Sequence, residues 1–186
     1  MTITDAIRAR RSIRQFTGRA VTRAEMETLL DAAILAPNHR LTQPWRFHVL
    51  GPDARYAYGL ALGARKAKKL EDPEAARALR EKVAEEHRAL PALLFVAVAT
   101  QDNPEIAEED YAAVMMAVQN LSLAALELGL GAHIRTGAVM GDPAARAAAG
   151  VPEGERIVAM VTIGEPAEVP PAKPRNPVAS VTTWMD

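Results

Sequence analysis

The sequence contains no cysteine. Disulfides, thiol nucleophiles and thiolate metal sites are therefore excluded, and the lack fits a cytoplasmic protein. Charge of one sign is missing as well: 22 Lys and Arg stand against 23 Asp and Glu, a net charge of -1. That balance gives no electrostatic reason to expect a nucleic acid or an acidic membrane as partner. No apolar run approaches membrane-spanning length; the most apolar short run, Leu93 to Ala99, suits a buried strand. The first residues, Met1-Thr2-Ile3-Thr4-Asp5, lack the apolar core of a signal peptide, and Asp5 and Arg8 interrupt anything similar. Only four His remain as strong metal ligands, at 39, 48, 87 and 133, and none has the paired helical spacing of a zinc site, so no metal is expected. Gly129-Leu130-Gly131 is followed by Ile134 where a dinucleotide fingerprint needs glycine, and a helix precedes it rather than a strand. No phosphate-binding P-loop occurs, and Ser12, Ser122 and Ser180 stand in no nucleophile elbow.

What is present is enough apolar residue, 49% of 186, for the core of one domain spanning 1–186. A short helix is expected over Asp5–Arg10, giving way near Ser12 to an extended Ile13-Arg14-Gln15-Phe16. Thr22 and Glu25 have capping-box spacing, and Met26, Leu29, Leu30, Ala33 and Ile34 then follow one helical face. Pro37 stops that helix. Phe47–Leu50 reads as a strand ended by Gly51-Pro52, and a helix rich in Ala, Leu and Tyr follows. Ala64–Leu90, dominated by charge and Ala, is expected as a solvated helical excursion with Pro73 in a first turn. Leu93–Ala99 reads as a central strand covered on both faces. Tyr111–Leu128 has no Gly or Pro and carries apolar residues on more than one face, which predicts a helix buried almost all round, in its own core or at a subunit interface. Ala132–Thr136 is extended, Asp142-Pro143 opens a helix that Gly150 stops, and Ile157–Ile163 is a last core strand. From Glu165 a proline-rich tail is expected to run extended over a surface such as a neighbouring subunit's. There is no internal repeat or linker.

Three clusters carry chemistry. In Arg10-Arg11-Ser12-Ile13-Arg14-Gln15-Phe16, guanidinium groups and a hydroxyl converge at a bend and could clasp a phosphate; taken alone, the cluster is more simply read as cations at a helix C-terminus with Phe16 as an anchor. Pro37-Asn38-His39-Arg40-Leu41-Thr42-Gln43-Pro44-Trp45-Arg46-Phe47 holds polar side chains between two prolines beside an aromatic wall, or is an ordinary helix-to-strand connection. In His133-Ile134-Arg135-Thr136-Gly137, a buried Arg135 would need an anion or a carboxylate.

The first cluster resembles the Arg-x-Ser-x-Arg-x-Phe opening of the FMN-dependent nitroreductase family. Pro37 followed by Gln43-Pro44-Trp45-Arg46-Phe47 resembles that family's second hallmark, Pro-Ser-x-x-Asn-x-Gln-Pro-Trp-x-Phe, and Gly164-Glu165-Pro166 closes the last strand. The resemblance spans nearly the whole chain and is nearest to the shorter bacterial branch. Leu41 stands where many members carry Asn, so the hydrogen bonding around the flavin departs from the family there. The resemblance implies an α+β fold, with a central mixed sheet flanked by helices and an intertwined homodimer binding two FMN at its interface. Arg10, Arg11, Ser12 and Arg14 would hold phosphate and ribityl oxygens; Pro37, Asn38, His39 and Gln43 would approach the flavin from the partner subunit; Ile134, Arg135, Thr136 and Gly137 would complete the site. The implied reaction is ping-pong, in which NADH or NADPH reduces the flavin and a nitroaromatic, quinone or similar acceptor reoxidises it, with no catalytic side chain required. A specialised enzyme of the same fold, acting in dehalogenation, dehydrogenation or flavin breakdown, is the nearest alternative. A non-catalytic binder of a phosphorylated ligand is the other.

Overall fold

The computed structural model describes residues 1–185. Its helices are α1 (Ile3–Ala9), α2 (Arg23–Ala33), α3 (Pro52–Ala67), α4 (Pro73–Arg88), α5 (Pro104–Glu127) and α6 (Pro143–Ala148). The strands are β1 (Trp45–Leu50), β2 (Ala92–Ala99), β3 (Gly131–Arg135) and β4 (Glu155–Gly164). Among the described residues no helix is long and apolar enough to cross a membrane.

The strands form one sheet in the order β1-β2-β4-β3, and every neighbouring pair is antiparallel. Among the described residues the parallel component of the expected mixed sheet is confined to one bridge, between Ser12 and Ala132. Along β2 the side chains alternate between two cores. Ala92, Leu94, Val96 and Val98 meet Met26, Leu29, Val114, Val118 and Leu121 of α2 and α5. Leu93, Phe95 and Ala97 meet Tyr58 of α3 and Ala145 of α6. Helices on both faces bury β2 almost completely, as its uninterrupted apolar run predicts.

The helices depart from expectation in three places. α1 begins at Ile3, two residues early, because Thr2 and Asp5 form a capping box: the Thr2 hydroxyl accepts from Asp5 N at 3.1 Å, and the Asp5 carboxylate accepts from Thr2 N at 3.2 Å. α5 begins at Pro104 rather than Tyr111, since Asn103 caps it and proline suits a first turn. Within one chain α5 buries a single face through Ala113, Val114, Ala117, Val118 and Leu121, leaving Tyr111 and Met116 exposed; it is not enclosed all round. The charged stretch 64–90 is helical and mostly exposed, with Pro73 in the first turn of α4 as expected, but it is not a detached excursion. It belongs to a tight α3–α4 hairpin in which Val83, Ala84 and His87 are buried. Gly59 and Gly63 permit the approach: a Cβ would lie 2.6 Å from Ala84 Cα at the first and 2.7 Å from Arg80 Cα at the second.

Candidate functional site

The arginine-rich segment is held against the outer edge of β3. Ile13 N donates to Ala132 O at 3.1 Å, Thr17 N to Glu165 O at 2.9 Å, and Ala167 N to Gln15 O at 3.0 Å. Ile13 is buried over Gly131, where any Cβ would fall 2.3 Å from Ile13 Cγ1. The Gly131 that fails as part of a dinucleotide fingerprint thus seats this segment. With Ile13 turned inward, Ser12 and Arg14 face outward.

They face a cavity of about 760 Å³ lined by Arg8, Arg10, Arg11, Ser12, Arg14, His133 and Ile134 on one side. The tail, through Glu168, Pro170, Pro171, Lys173 and Arg175, forms the other. Six cations therefore surround the space, with Glu168 the one carboxylate in its lining. His133, in the same lining, has its imidazole held below its ordinary pKa by burial first and then by the charges of Arg135 and Arg14. Arg11 serves two ends. Its Nη1 donates to the carbonyls of Arg8 at 2.6 Å and Arg10 at 3.0 Å, satisfying the end of α1, while its Nε is buried without a partner. Such a donor beside a cationic cavity fits an anionic, oxygen-rich ligand. Lys173 and Arg175 were not singled out from sequence; two cations spaced among Pro171, Pro174 and Pro177 were the available signal.

Arg135 does not line this cavity. Its Nη2 donates to Thr162 Oγ1 at 3.3 Å, its Nε is buried and unpartnered, and its charge acts on Tyr58 and His87 beneath the α3–α4 hairpin. Thr136 and Gly137 follow at the exposed end of β3, where Gly137 has φ 143° and leads into a 3-10 turn over Ala138–Gly141.

The proline-bounded loop lies elsewhere. It feeds β1, the edge strand opposite β3, so three inter-strand spacings, about 14 Å, separate the two edges. No residue from 37 to 43 lines the cavity. His39, with its side chain 73% exposed, places Nδ1 3.0 Å from Glu109 Oε1, and Arg40 Nε donates to Glu109 Oε2 at 2.8 Å. These two contacts, His39 first, hold the Glu109 carboxyl below its ordinary pKa. Inside the loop, Gln43 N donates to Asn38 Oδ1 at 2.7 Å, Asn38 Nδ2 to Thr42 Oγ1 at 3.1 Å, and the Thr42 hydroxyl to Asp110. Pro37 is exposed at its start. One chain thus brings together Arg10, Arg11, Ser12, Arg14 and Ile134, and sets Pro37, Asn38, His39 and Gln43 apart from them.

A four-stranded antiparallel sheet between helical layers, carrying a cation-lined cavity at one edge and a polar loop at the other, defines an α+β protein equipped to bind an anionic ligand. The family model described as Nitroreductase family matches residues 7–165. The chain belongs to the nitroreductase family. It is 33% identical over 181 residues to a Bacillus subtilis protein provisionally named NAD(P)H nitroreductase YfhC, covering 97% of this chain and 93% of that one. Its structure is similar to that of a nitroreductase-like family protein from Bacillus cereus, with TM-score 0.85 and 29% identity over 100% of this chain and 97% of that one. It is also similar to a provisionally named nitroreductase from Desulfovibrio desulfuricans solved in complex with FMN, with TM-score 0.74 and 27% identity over 100% and 98% of the two chains.

Proposed function

We propose that the protein is a cytoplasmic, homodimeric FMN-dependent oxidoreductase that takes reducing equivalents from NADH or NADPH and delivers them, by a ping-pong mechanism, to a nitroaromatic, quinone or similarly electron-poor acceptor. The observation that carries this reading is the cation-lined cavity built on Arg10, Ser12 and Arg14, with the buried free Nε of Arg11 beside it. Those residues fit a phosphorylated ligand of FMN's size and charge, and the relatives that share the fold include one solved with FMN.

In this reading Arg10, Ser12, Arg14, Lys173 and Arg175 hold the phosphate, and Arg11 and the backbone near Ile134 approach the ribityl chain. Arg135, Thr136 and Gly137 border the ring, and the partner's Pro37, Asn38, His39 and Gln43 close the site. FMN, when bound, supplies the hydride and electron chemistry, so the side chains need only bind, orient and screen it from water. Two copies are required because the loop and the arginine segment lie at opposite sheet edges. The apolar side chains left exposed on α1 (Ile3, Ile7), after α2 (Ile34, Leu35) and in the tail (Val178, Val181, Trp184) supply surface for such an association.

The test is direct. Purified protein, or apoprotein given FMN, turns yellow, bleaches anaerobically under NADH or NADPH, and recovers its colour when a nitroaromatic or a quinone is added. A colourless protein that cannot be reconstituted with FMN would overturn the reading in favour of a non-catalytic binder. Reduction by NAD(P)H without reoxidation by either acceptor would leave the flavin assignment standing and point to a specialised reaction.

A further inference from the structure

Asp110 is a carboxylate in the wrong kind of place for a solvated helix residue. It sits in the first half of α5 with only 1% of its surface exposed; Oδ1 accepts from the Thr42 hydroxyl, and Oδ2 is buried without a partner. A buried carboxylate is costly unless it is paired or hydrogen-bonded, and the one side-chain partner of Asp110 is Thr42. What it touches is the polar loop. That loop contains the two non-glycine residues of the described chain in the left-handed region, Leu41 at φ 51° and Gln43 at φ 45°. Neither is an Asn, Asp or Gly that adopts the region readily, so an unsupported loop would relax out of it.

Three hydrogen bonds in series oppose the relaxation. Asp110 accepts from Thr42, Thr42 accepts from Asn38, and Asn38 accepts from the backbone N–H of Gln43, which closes the turn across Leu41. Glu109, the next residue on the same helix, takes His39 and Arg40 from the outer side. Helix α5 thus grips the loop from beneath and from the rim. In this conformation Leu41 stands 78% exposed and His39 faces outward.

We infer that Asp110 is a positioning residue for the flavin site: through Thr42 and Asn38 it locks the 37–44 loop in its left-handed conformation, ready to receive the cofactor held by the other subunit. The inference rests on the dimeric FMN-binding reading above. Its physical content is pre-organisation. With the latch intact the loop is ordered before the cofactor arrives; with it cut, the ordering cost is taken out of FMN binding.

The experiment compares wild type with D110A, T42V and T42S, measuring FMN affinity of the apoproteins by flavin fluorescence, amide exchange of the 37–44 peptide, and thermal unfolding. The latch requires that D110A and T42V each weaken FMN binding by about ten- to hundredfold, the loss expected of one hydrogen bond to a charged group. Both should speed exchange in the loop, most at Gln43. T42S keeps the hydroxyl and should stay within about threefold of wild type. D110A/T42V should bind FMN no more weakly than the worse single variant, since both cut the same chain. If D110A unfolds, the T42V and T42S pair still decides. A lower unfolding temperature with FMN affinity and loop exchange unchanged would make Asp110 merely structural and overturn the inference, as would a T42S loss equal to that of T42V. A wild-type protein with no FMN affinity would remove the functional reading and the latch together, whereas wild-type binding matched by the variants removes the latch alone.

Discussion

The preference for FMN over riboflavin tests the arginine cavity most sharply, because the two flavins share ring and ribityl chain and differ only by the phosphate. Arg10, Arg14, Lys173 and Arg175 line one cavity with a single opposing carboxylate, Glu168. Each hydrogen bond to a charged group contributes about 1.5 to 3 kcal/mol, or about one to two decades in affinity. Two such contacts give FMN an advantage of about two to four orders of magnitude. Arg14 is exposed and Arg10 only half-buried, so solvent screening favours the lower end. Arg10→Ala should lower FMN affinity by about tenfold or more while leaving riboflavin nearly unchanged, and the Lys173→Ala/Arg175→Ala pair should do the same from the tail side. The advantage should also shrink between 50 and 500 mM salt, chosen as roughly a tenfold range across which exposed charges are progressively screened. Isothermal titration of both flavins into wild-type and variant apoproteins provides the measurement. Wild-type affinities within about threefold of each other would refute the phosphate clasp, since even one charge-assisted contact discriminates more. Equal losses for both flavins in Arg10→Ala would make that arginine structural.

His39→Ala should shift FMN affinity or the rate of flavin reduction while changing stability by less than about 0.5 kcal/mol, as its side chain is mostly exposed; unchanged binding and kinetics would remove it from the site. Gly131→Ala should cost about 1 to 3 kcal/mol in denaturant unfolding and weaken FMN as well, because the new methyl would sit 2.3 Å from Ile13 Cγ1 and push the arginine segment off the sheet edge. Burial holds the His87 imidazole below its ordinary pKa, so the unfolded chain binds its proton first. The stability this contributes is complete above about pH 6.5 and is lost as pH falls through the lower folded value, so urea midpoints should drop between pH 7 and 5 and drop less in His87→Leu. Sedimentation at low micromolar concentration should show dimer alone; a stable flavin-loaded monomer would defeat the shared site.

The parts of the fold written in neighbouring residues were legible. The capping box of Thr22 and Glu25 and the Asp142-Pro143 start of α6 are local rules, and the structure places helices where they point. The same rules hold at Thr2–Asp5 and Asn103-Pro104, so the starts of α1 and α5 are equally local signals. The α3–α4 hairpin was not: its closeness depends on Gly59 and Gly63 facing Ala84 and Arg80, a match between two helices, while the charge of 64–90 masks the buried Val83, Ala84 and His87.

The candidate site divides along the same line. Arg10 to Arg14 are contiguous and announce themselves, whereas Lys173 and Arg175 reach the cavity only because Gln15 and Thr17 pair with Ala167 and Glu165, joining chain ends that sequence spacing keeps apart. Asp110 has no flag at all in a sequence, since an acidic residue on a helix usually means a wetted face; only its burial beneath the loop gives it meaning. The loop and the arginine segment are placed by strand order. Because β1 and β3 are the two edges of the sheet, the loop that carries His39 and the segment that carries Arg10 lie apart within one chain. In the proposed dimer a twofold axis would supply what one chain lacks: if it carries the loop of one copy to the arginine edge of the other, symmetry makes the reciprocal contact identical. The proposed dimer therefore has two equivalent sites, each half-built by either subunit. Pairing a His39→Ala subunit with an Arg10→Ala subunit should then give a heterodimer with one intact site and one doubly impaired site, and FMN titration of the heterodimer purified away from both homodimers should recover about half of the wild-type high-affinity capacity. Recovery of none would place both residues in a site within one chain, against the strand order.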